Sequence, residues 1–256
     1  MAAVGIIPAR YASQRLPGKP LRRLCGKPLL QWVWEAARQA RSLRHVYVAT
    51  DDERIVATCR RLGADVILTP NTLPSGTDRL AVAYELLGLH DPIVVNLQAD
   101  EPLVQPAHID ALVSALQSNT HWDVATLIQP LKSALELFSP DVVKVVLRAD
   151  GCALYFSRSP IPYVRDYQPQ EWPHRVYFWK HIGLYAYRAP VLQRFRTLTP
   201  SPLEEAERLE QLRLLEAGFQ IGCMPAEGVL LGVDTPQQLE ALRRRLRRSR
   251  KPSQTP

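Results

Sequence analysis

The sequence predicts an α/β fold, in which a mostly parallel central sheet carries helices on both faces and a β-rich lobe is inserted in the middle of the chain. The first observation is that short apolar segments alternate with amphipathic helical patterns over residues 3–117. These segments are too uniformly apolar for strands with one wet face, so both faces of the sheet are expected to be buried. The third observation is a change to extended, aromatic patterns over residues 130–200.

The first half of the chain carries start and stop signals for three predicted helices. Pro28 is expected at the first position of one helix, Asp51 as the N-cap of the next, and Thr77 as the N-cap of the third. Gly63 is expected to end the second of these helices. The strands predicted between them are residues 3–7, 45–50, 65–68 and 92–97.

The second half predicts antiparallel strands followed by two capped helices. Asp150 and Gly151 stand between two extended segments, which is typical of a β-hairpin turn. Ser201 and Thr235 are each followed by a proline and, three residues on, by Glu or Gln, which predicts capping boxes with proline at the first helical position. The strands predicted here are residues 123–128, 142–148, 152–157 and 176–187.

The net charge of +7 belongs to the C-terminus and not to the body of the chain. Six arginines and one lysine follow residue 241 without an acid, and they equal the whole excess, so residues 1–240 are formally neutral. Composition therefore favours no nucleic-acid partner for the body. We expect a single domain over residues 1–242, with the β-rich lobe inside it, and a basic, disordered tail over residues 243–256.

The sequence predicts a cytoplasmic protein that is not inserted in a membrane. It contains no apolar run of spanning length and no signal-peptide pattern at its N-terminus. The cysteines form no CxxC pair and no spacing typical of a zinc site, so we expect buried thiols and neither disulfides nor a metal. These cysteines are Cys25, Cys59, Cys152 and Cys223.

A basic loop directly follows the first predicted strand. The segment IIPARYASQRLPGKPL places Arg10, Arg15 and Lys19 beyond the carboxyl end of that strand, where open α/β sheets bind ligands. Cations in such a loop favour a phosphate ligand. The segment is neither a GK[ST] loop nor a GxGxxG loop, so side chains would have to supply the contacts. For this segment alone, a basic surface loop without a ligand stays open as an alternative.

Three acids and one loop complete the candidate chemistry. Asp100 and Glu101 in NLQADEP follow a buried strand, and Asp234 in GVDTP precedes a helix cap. Carboxylates facing a phosphate loop favour Mg²⁺ between them, although each could instead serve only a helix start. Ser75 and Gly76 in PSGTDRL leave backbone groups accessible to a base or ribose, and an ordinary helix cap is the alternative there.

In order and spacing, these segments resemble the 3-deoxy-manno-octulosonate cytidylyltransferases, or CMP-Kdo synthetases, over residues 4–242. Further segments that carry the resemblance are VVKVVL, YFSRSPIP, KHIGLYAYR and SPLEEAERLEQLR. The resemblance implies a Rossmann-like nucleotidyltransferase fold and a homodimer with the β-rich lobe at its interface. It also implies the reaction of CTP with 3-deoxy-manno-octulosonate (Kdo) to give CMP-Kdo and pyrophosphate with Mg²⁺, which would activate Kdo for lipopolysaccharide or a related glycan.

The resemblance also implies roles for individual residues. The residues implied to bind CTP are Pro8, Arg10, Arg15, Lys19, Ser75, Gly76 and Arg79. Those implied to bind Kdo are Gln98, Arg158, His181, Tyr185, Glu210 and Gln211. The implied metal ligands are Asp100 and Asp234, and the implied catalytic residues are Lys19, Arg10 and Asp100. The chain departs from the family pattern at Leu73, where relatives often have His, and at Ala99, where they often have Gly.

Two other functions stay open beside CMP-Kdo synthesis. One is a cytidylyltransferase of the same fold for another sugar acid, such as a sialic acid. The other is a non-catalytic protein that senses nucleotides or binds nucleic acid through the basic tail. No Ser–His–Asp set and no cysteine in a basic segment is present, so the expected chemistry is direct in-line attack of the Kdo hydroxyl on the α-phosphorus of CTP.

Overall fold

The computed structural model describes residues 3–13, 15–131 and 133–249, which divide into two units of chain. The first unit comprises Val4–Leu89, Asn96–Pro106 and the described residues from Val229 onward. The second unit comprises the described residue Ala3, His90–Val95 and Ala107–Gly228. The predicted α/β class, with a mostly parallel central sheet flanked by helices, is confirmed. The sequence analysis predicted a single domain over residues 1–242, and this stays a prediction.

Strands and helices alternate along the described chain. The strands are β1 (Ala3–Ala9), β2 (Arg23–Leu24), β3 (Lys27–Pro28), β4 (Leu43–Thr50), β5 (Asp65–Leu68), β6 (Ile93–Asn96), β7 (Val124–Leu131), β8 (Lys144–Leu147), β9 (Ala153–Ser157), β10 (Phe178–Arg188) and β11 (Ile221–Pro225). The α-helices are α1 (Leu29–Ala37), α2 (Glu53–Leu62), α3 (Gly76–Leu86), α4 (Pro106–Ser118), α5 (Ala134–Leu137), α6 (Trp172–Arg175), α7 (Ala189–Phe195), α8 (Pro202–Glu207), α9 (Gln211–Glu216) and α10 (Pro236–Ser249). Short 3₁₀ turns lie at Lys19–Leu21 and Pro169–Glu171.

In the first unit, β1, β4 and β5 lie side by side. All seven residues of β1 are buried, as expected of a strand covered on both faces. Strands β4 and β5 are parallel, with Thr50 opposite Leu68. Gly63 ends α2 with a φ of 70°, which confirms its predicted role, because glycine adopts this conformation without steric cost.

Three predicted helix starts were wrong by one or two residues. Asp52, and not Asp51, caps α2, because its carboxylate accepts the backbone N–H of Arg54 at 2.9 Å. Ser75, and not Thr77, caps α3. Pro28 is the N-cap of α1 and not its first residue. For α2 and α3, Asp52 and Ser75 have the extended backbone that a cap requires.

In the second unit, the strand order is β11, β7, β10, β6, and β8 pairs with both β10 and β9. Strand β11 is parallel to β7, whereas β10 is antiparallel to β7 and to β8. Strands β8 and β9 form the predicted hairpin, and Gly151 in its turn has a φ of 82°. The antiparallel, β-rich character predicted for residues 130–200 is therefore confirmed.

Each unit has an apolar core cluster. In the first unit, Leu239 and Leu242 of α10 pack on Leu16, Leu24, Leu29 and Val233, and Leu246 is partly buried against the same cluster. Disorder was predicted from residue 243 onward. The predicted starting point was wrong, because α10 continues to Ser249. The packing of Leu246 gives the physical reason. Residues 250–256 of the predicted tail lie outside the described residues.

The cysteines all lie among the described residues, and Cys59, Cys152 and Cys223 are buried while Cys25 is partly exposed. Within residues 3–13, 15–131 and 133–249, no helix is long and apolar enough to cross a membrane.

Candidate active site

The basic loop after β1 is shaped by a glycine. Gly18 has a φ of 67°, and its N–H donates to the carbonyl oxygen of Tyr11 at 2.9 Å. A Cβ at this position would lie 3.0 Å from the Tyr11 ring, so both the backbone conformation and the space favour glycine. This turn brings Lys19 to the start of a 3₁₀ turn.

Lys19 lies between two carboxylates that are far apart in the sequence. Its Nζ is 2.5 Å from Oδ2 of Asp100 and 2.9 Å from Oδ1 of Asp234. Burial alone would lower the pKa of the Lys19 ammonium, but the charges and hydrogen bonds of Asp100 and then of Asp234 outweigh it, so the pKa lies above its ordinary value. The ammonium is therefore charged at neutral pH, and the predicted metal ligands Asp100 and Asp234 converge on one point.

Arg15 adds a second cation to this group. Its terminal nitrogen lies 3.1 Å from the same Oδ1 of Asp234 that Lys19 contacts. Arg15 is more than half exposed, whereas the side chains of Lys19 and Asp100 are mostly buried. Lys19, Arg15, Asp100 and Asp234, which we call the charge cluster, carry two positive and two negative formal charges.

The loops that carry the two aspartates are joined through the backbone. The N–H of Val233 donates to the carbonyl oxygen of Asp100 at 2.9 Å. Oε1 of Gln238 accepts the N–H of Asp234 at 2.7 Å, and Thr235 and Gln238 form the capping box predicted for α10. Asp234 is thus fixed at the start of a helix and Asp100 beside it.

The two departures from the family pattern leave the backbone of the site unstrained. Among the described non-glycine residues, positive φ angles occur at Cys25, Asp166 and Arg208, so Ala99 needs no conformation that favours glycine. Leu73 takes part through its carbonyl oxygen, which any residue would supply.

Arg10 ties the end of β1 to the loop before α3. Its guanidinium donates to the carbonyl oxygens of Leu73 at 2.5 Å and Pro74 at 3.2 Å. Its Nε is buried and has no hydrogen-bond partner among the described residues. Arg10 thus holds the loop that presents Ser75 while some of its N–H groups stay available for an anion.

Ser75 and Gly76 form the start of α3. The Ser75 hydroxyl donates to the Asp78 carboxylate at 2.7 Å and accepts the Asp78 N–H at 3.1 Å. A Cβ at Gly76 would meet only Pro8 within 4 Å, at 3.9 Å from its Cγ. Pro8 and this helix start, both predicted nucleotide contacts, are therefore close together.

Arg79 differs from the other predicted nucleotide residues because its side chain has no exposed surface. One terminal nitrogen lies 2.9 Å from the Asp51 carboxylate and the other donates to the Thr69 hydroxyl. Burial lowers the pKa of this guanidinium, and Asp51 partly offsets that effect. The structure gives Arg79 a structural role, and its contact with the nucleoside stays a prediction. Sequence reasoning missed the partners Asp51 and Thr69.

The predicted Kdo residues fall in both units. Gln98 lies in the first unit, where its side-chain amide donates to Oδ1 of Asn96 at 3.3 Å. The other residues lie in the second unit, and they are Arg158, His181, Tyr185, Glu210 and Gln211.

In the second unit, Arg158 is held by backbone carbonyl groups. Its Nε donates to the carbonyl oxygen of Glu207 at 2.7 Å, and one terminal nitrogen donates to that of Pro140 at 2.8 Å. The Glu207 carboxylate accepts the Arg158 N–H at 2.9 Å and the Ser157 hydroxyl at 2.6 Å. A guanidinium has five N–H donors, so this arrangement fixes Arg158 and leaves donors for a carboxylate ligand.

Lys144 is a buried lysine that sequence reasoning did not single out. Its ammonium donates to the carbonyl oxygens of Ser139 at 2.9 Å, Val142 at 2.6 Å and Arg158. The pKa of the Lys144 ammonium is lowered to about 8, chiefly by burial. The negative charge of Glu207 partly offsets this effect, and the positive charge of Arg158 adds to it. The signal in the sequence was a lysine inside the apolar strand VVKVVL. Lys144 and Glu207 together fix the backbone on both sides of Arg158.

His181 and Tyr185 are neighbours on β10. Their ring centroids are 5.3 Å apart, and Nε2 of His181 lies 3.0 Å from the Thr126 hydroxyl oxygen. Burial lowers the pKa of His181 to about 3, so the ring is neutral at physiological pH. Burial also raises the pKa of Tyr185 well above its ordinary value, with further contributions from Tyr187 and then Glu210.

Glu210 and Gln211 stand at the start of α9. Glu210 is the N-cap position, and its charge reaches Tyr185 on β10. Gln211 is buried, and its Nε2 has no hydrogen-bond partner among the described residues. The second unit thus brings Tyr185 together with His181 and Glu210, and it holds a buried amide donor on α9 that is available to a polar ligand.

Comparison with known proteins gives concordant matches. A family model described as Cytidylyltransferase matches residues 4–221. The 3-deoxy-manno-octulosonate cytidylyltransferase of Pseudomonas fluorescens is 49% identical, over 94% of this chain and 96% of that protein. The protein of the same name from Acidobacterium capsulatum is 48% identical, over 93% of this chain and 94% of that protein.

Solved structures also match nearly the whole chain. The structure of a CMP:2-keto-3-deoxy-manno-octonic acid synthetase complexed with CTP is similar with a TM-score of 0.89 and 42% identity, covering 97% of this chain and 100% of that one. A cytidylyltransferase from Leptospira borgpetersenii is similar with a TM-score of 0.62 and 17% identity, covering 95% of this chain and 85% of that one, which is a likeness of fold alone.

Proposed function

The chain belongs to the 3-deoxy-manno-octulosonate cytidylyltransferase family, and on that premise we propose that it transfers CMP from CTP to Kdo and releases pyrophosphate. The chain is a nucleotidyltransferase. The observation that carries the proposal is the convergence of Asp100 and Asp234 on Lys19 beside the loop after β1. This arrangement combines cations for phosphates with hard oxygen ligands, which phosphoryl-type transfer requires.

CTP is the nucleotide that we assign to the first unit. Lys19, Arg10 and Arg15 bind the triphosphate in this proposal, because all three are cations at one loop and Lys19 is charged at neutral pH. The nucleoside residues are Pro8, Ser75 and Gly76, which are supported by the open space at the start of α3. Arg79 supports this site from within the core.

The donor set fits a Mg²⁺ ion. Asp100 and Asp234 supply carboxylate oxygens within 2.5 Å and 2.9 Å of the same point, now occupied by the Lys19 ammonium. Magnesium prefers such oxygen ligands and shares phosphate oxygens as further ligands. Once bound, Mg²⁺ would shield the phosphate charges and lower the pKa of the attacking hydroxyl.

The remaining residues orient the substrates for direct attack of the Kdo hydroxyl on the α-phosphorus. Arg10 and Lys19 stabilise the charge that develops on pyrophosphate. Arg158 binds the Kdo carboxylate, which is supported by its fixed guanidinium and its remaining N–H donors. The other Kdo residues are Gln98, His181, Tyr185, Glu210 and Gln211.

The protein acts as a cytoplasmic homodimer in this proposal. Large apolar side chains are exposed on the second unit, which supports an interface there. These side chains are Leu135, Leu154, Tyr163 and Tyr177. Sedimentation velocity at micromolar concentration should give twice the chain mass, and a monomer would exclude the dimer.

The substrate assay tests the proposal directly. With Mg²⁺ present, the purified protein should release pyrophosphate from CTP only when Kdo is added, and ATP or GTP should not replace CTP. A sialic acid should be a poor substrate, by up to about 10⁴-fold where buried polar groups lose partners. Equal turnover with sialic acid would favour that sugar acid as the substrate. CTP binding without pyrophosphate release would favour a non-catalytic protein.

The metal ligands are tested in the same assay. Asp100→Asn and Asp234→Asn should each reduce turnover by at least about 10²-fold, because each loses an anionic ligand while keeping its shape. Asp65→Asn is the matched control, since Asp65 is exposed, pairs with His45 at 2.7 Å and is not a member of the charge cluster. Near-normal turnover of either active-site variant at saturating Mg²⁺ would remove that aspartate from the metal site.

A further inference from the structure

The Lys19 ammonium contacts both aspartates of the charge cluster at once. It is 2.5 Å from Asp100 and 2.9 Å from Asp234, and Arg15 contacts the same oxygen of Asp234. The formal charges of the cluster already cancel. The Lys19 ammonium already donates hydrogen bonds to these carboxylate oxygens. A divalent cation held by the same oxygens would therefore add two positive charges next to it.

A metal ion and the ammonium cannot both occupy this point. Mg²⁺ takes carboxylate ligands at about 2.0–2.1 Å, which places it where the ammonium now donates its hydrogen bonds. Like charges at such short range repel strongly, and more so in this mostly buried surrounding than in water. Either Lys19 moves away or the metal binds weakly.

We propose that Lys19 takes the place of the divalent cation in the free enzyme and that nucleotide binding releases the two aspartates by drawing Lys19 to the phosphates. The proposal rests on the proposed function only in so far as Asp100 and Asp234 are the metal ligands. It adds that Lys19 determines when the metal can bind.

The geometry allows this exchange. Lys19 is a flexible side chain that stands at the start of a short 3₁₀ turn, and a fraction of its surface is exposed. Phosphate oxygens offer the ammonium new acceptors, and Arg15 can follow because it is largely exposed. Metal and nucleotide binding then favour each other, and this coupling is reciprocal by thermodynamic necessity.

The decisive experiment measures Mn²⁺ binding to the full chain without nucleotide, by electron paramagnetic resonance of free Mn²⁺. Lys19→Met should bind Mn²⁺ at least about 10-fold more tightly than the unchanged protein, because the two carboxylates lose their competing cation. Lys19→Gln is the second variant, and circular dichroism verifies that each is folded. Lys27→Met is the matched control, since Lys27 pairs with Glu35 at 2.6 Å in the same unit, and its Mn²⁺ affinity should be unchanged.

The site of the gained affinity is tested by a double variant. Adding Asp100→Asn to Lys19→Met should abolish the gain. Unchanged or weaker Mn²⁺ binding by both folded Lys19 variants would overturn the inference, as would a gain that survives the loss of Asp100.

Failure of the inference is distinguishable from failure of the proposed function. If the unchanged protein binds Mn²⁺ tightly without nucleotide, and Asp100→Asn and Asp234→Asn abolish this binding, the aspartates are the metal site and the inference about Lys19 is wrong. If neither substitution affects Mn²⁺ binding or pyrophosphate release, the metal site itself is wrong, and the inference is wrong with it.

Discussion

At the scale of single residues, Arg79 is a fully buried arginine that stabilises the fold of the first unit. Its buried guanidinium contacts Asp51 and Thr69. We expect Arg79→Met to lower the free energy of unfolding by about 3 kcal/mol or more, because it leaves Asp51 without its buried partner. Urea unfolding measures this loss. Arg60→Met, at an exposed position of α2, is the matched control and should change stability by less than about 0.5 kcal/mol.

The opposite pattern would contradict this structural role. If Arg79→Met keeps normal stability but weakens CTP binding, Arg79 is a nucleotide ligand, as the family resemblance implied. The two readouts separate the roles because a buried ion pair acts on folding and a ligand contact acts on affinity.

His181 makes folding sensitive to pH in a defined window. Its pKa is lowered to about 3, whereas an unfolded histidine titrates near 6.5, so the unfolded chain binds the extra proton between these values. Stability is therefore lost as pH falls from about 6.5 toward 3. Between pH 7 and pH 5, we expect the unchanged protein to lose up to about 2 kcal/mol more than His181→Gln.

Urea unfolding at the two pH values measures this difference. His90→Gln is the matched control, because His90 is exposed in the same unit and the variant makes the same His-to-Gln change outside the core. An equal loss of stability in the His181 variant and the unchanged protein would show that the imidazole is not desolvated.

The sequence predicts the position of the charge cluster, but it does not predict that Arg79 is buried. Lys19 and Asp100 follow strands at the edge where α/β sheets bind ligands, and this position is visible in the sequence pattern. The burial of Arg79 depends on Asp51 and Thr69, which lie 28 and 10 residues away. No local pattern reports such a contact, so the sequence alone did not separate it from the exposed cations.

At the scale of elements, Glu207 connects the end of β9 to the end of α8. Its carboxylate accepts hydrogen bonds from Ser157 and from the backbone of Arg158. We expect Glu207→Gln to raise KM for Kdo by about 10-fold with little change in KM for CTP, since charge-assisted hydrogen bonds that position Arg158 are weakened. Steady-state kinetics with each substrate varied in turn measures the two constants.

Glu205→Gln is the matched control for this prediction, because Glu205 is exposed on the same helix and should leave both constants unchanged. An equal rise in both Michaelis constants would indicate a general loss of structure. An unchanged KM for Kdo would show that Arg158 either does not depend on Glu207 or does not bind Kdo.

The elements themselves were largely predictable, and their first residues were not. The strand and helix patterns follow from apolar periodicity, which is local. Helix starts failed where two residues could each cap, as with Asp51 beside Asp52 and Ser75 near Thr77. Tertiary contacts decide such cases: the Asp51 carboxylate pairs with Arg79, and that leaves Asp52 to cap α2.

At the scale of the whole molecule, the fold class could be predicted from the alternation of strands and helices. The division into two units could not. Each unit is assembled from stretches that are separated in the sequence. His90–Val95 belongs to the second unit, and the described residues from Val229 onward belong to the first. Such pairing depends on strand neighbours such as β10 and β7, which no local pattern specifies. The tail was predicted from its composition and from the end of the family resemblance at residue 242, and neither shows where a helix ends.

The end of α10 gives a prediction for the whole chain. Because the family resemblance ends at residue 242, the sequence alone predicts that truncation after Leu242 leaves CTP turnover near that of the full chain. Because Leu246 packs on the first-unit core and Arg243 donates to the carbonyl oxygen of Arg23 at 2.5 Å, we now expect this truncation to lower the free energy of unfolding by about 1–3 kcal/mol.

Truncation after Ser249 should retain both stability and turnover, because it keeps α10 complete. The chain ending at Leu242 still contains Asp234 and its capping box, so its folded fraction should turn over CTP at close to the full rate at low temperature. Thermal unfolding and pyrophosphate release, measured on both truncations, separate the two effects. Equal melting temperatures would show that Leu246 and Arg243 contribute nothing to folding, whereas a folded but inactive Leu242 truncation would place residues 243–249 in the active unit.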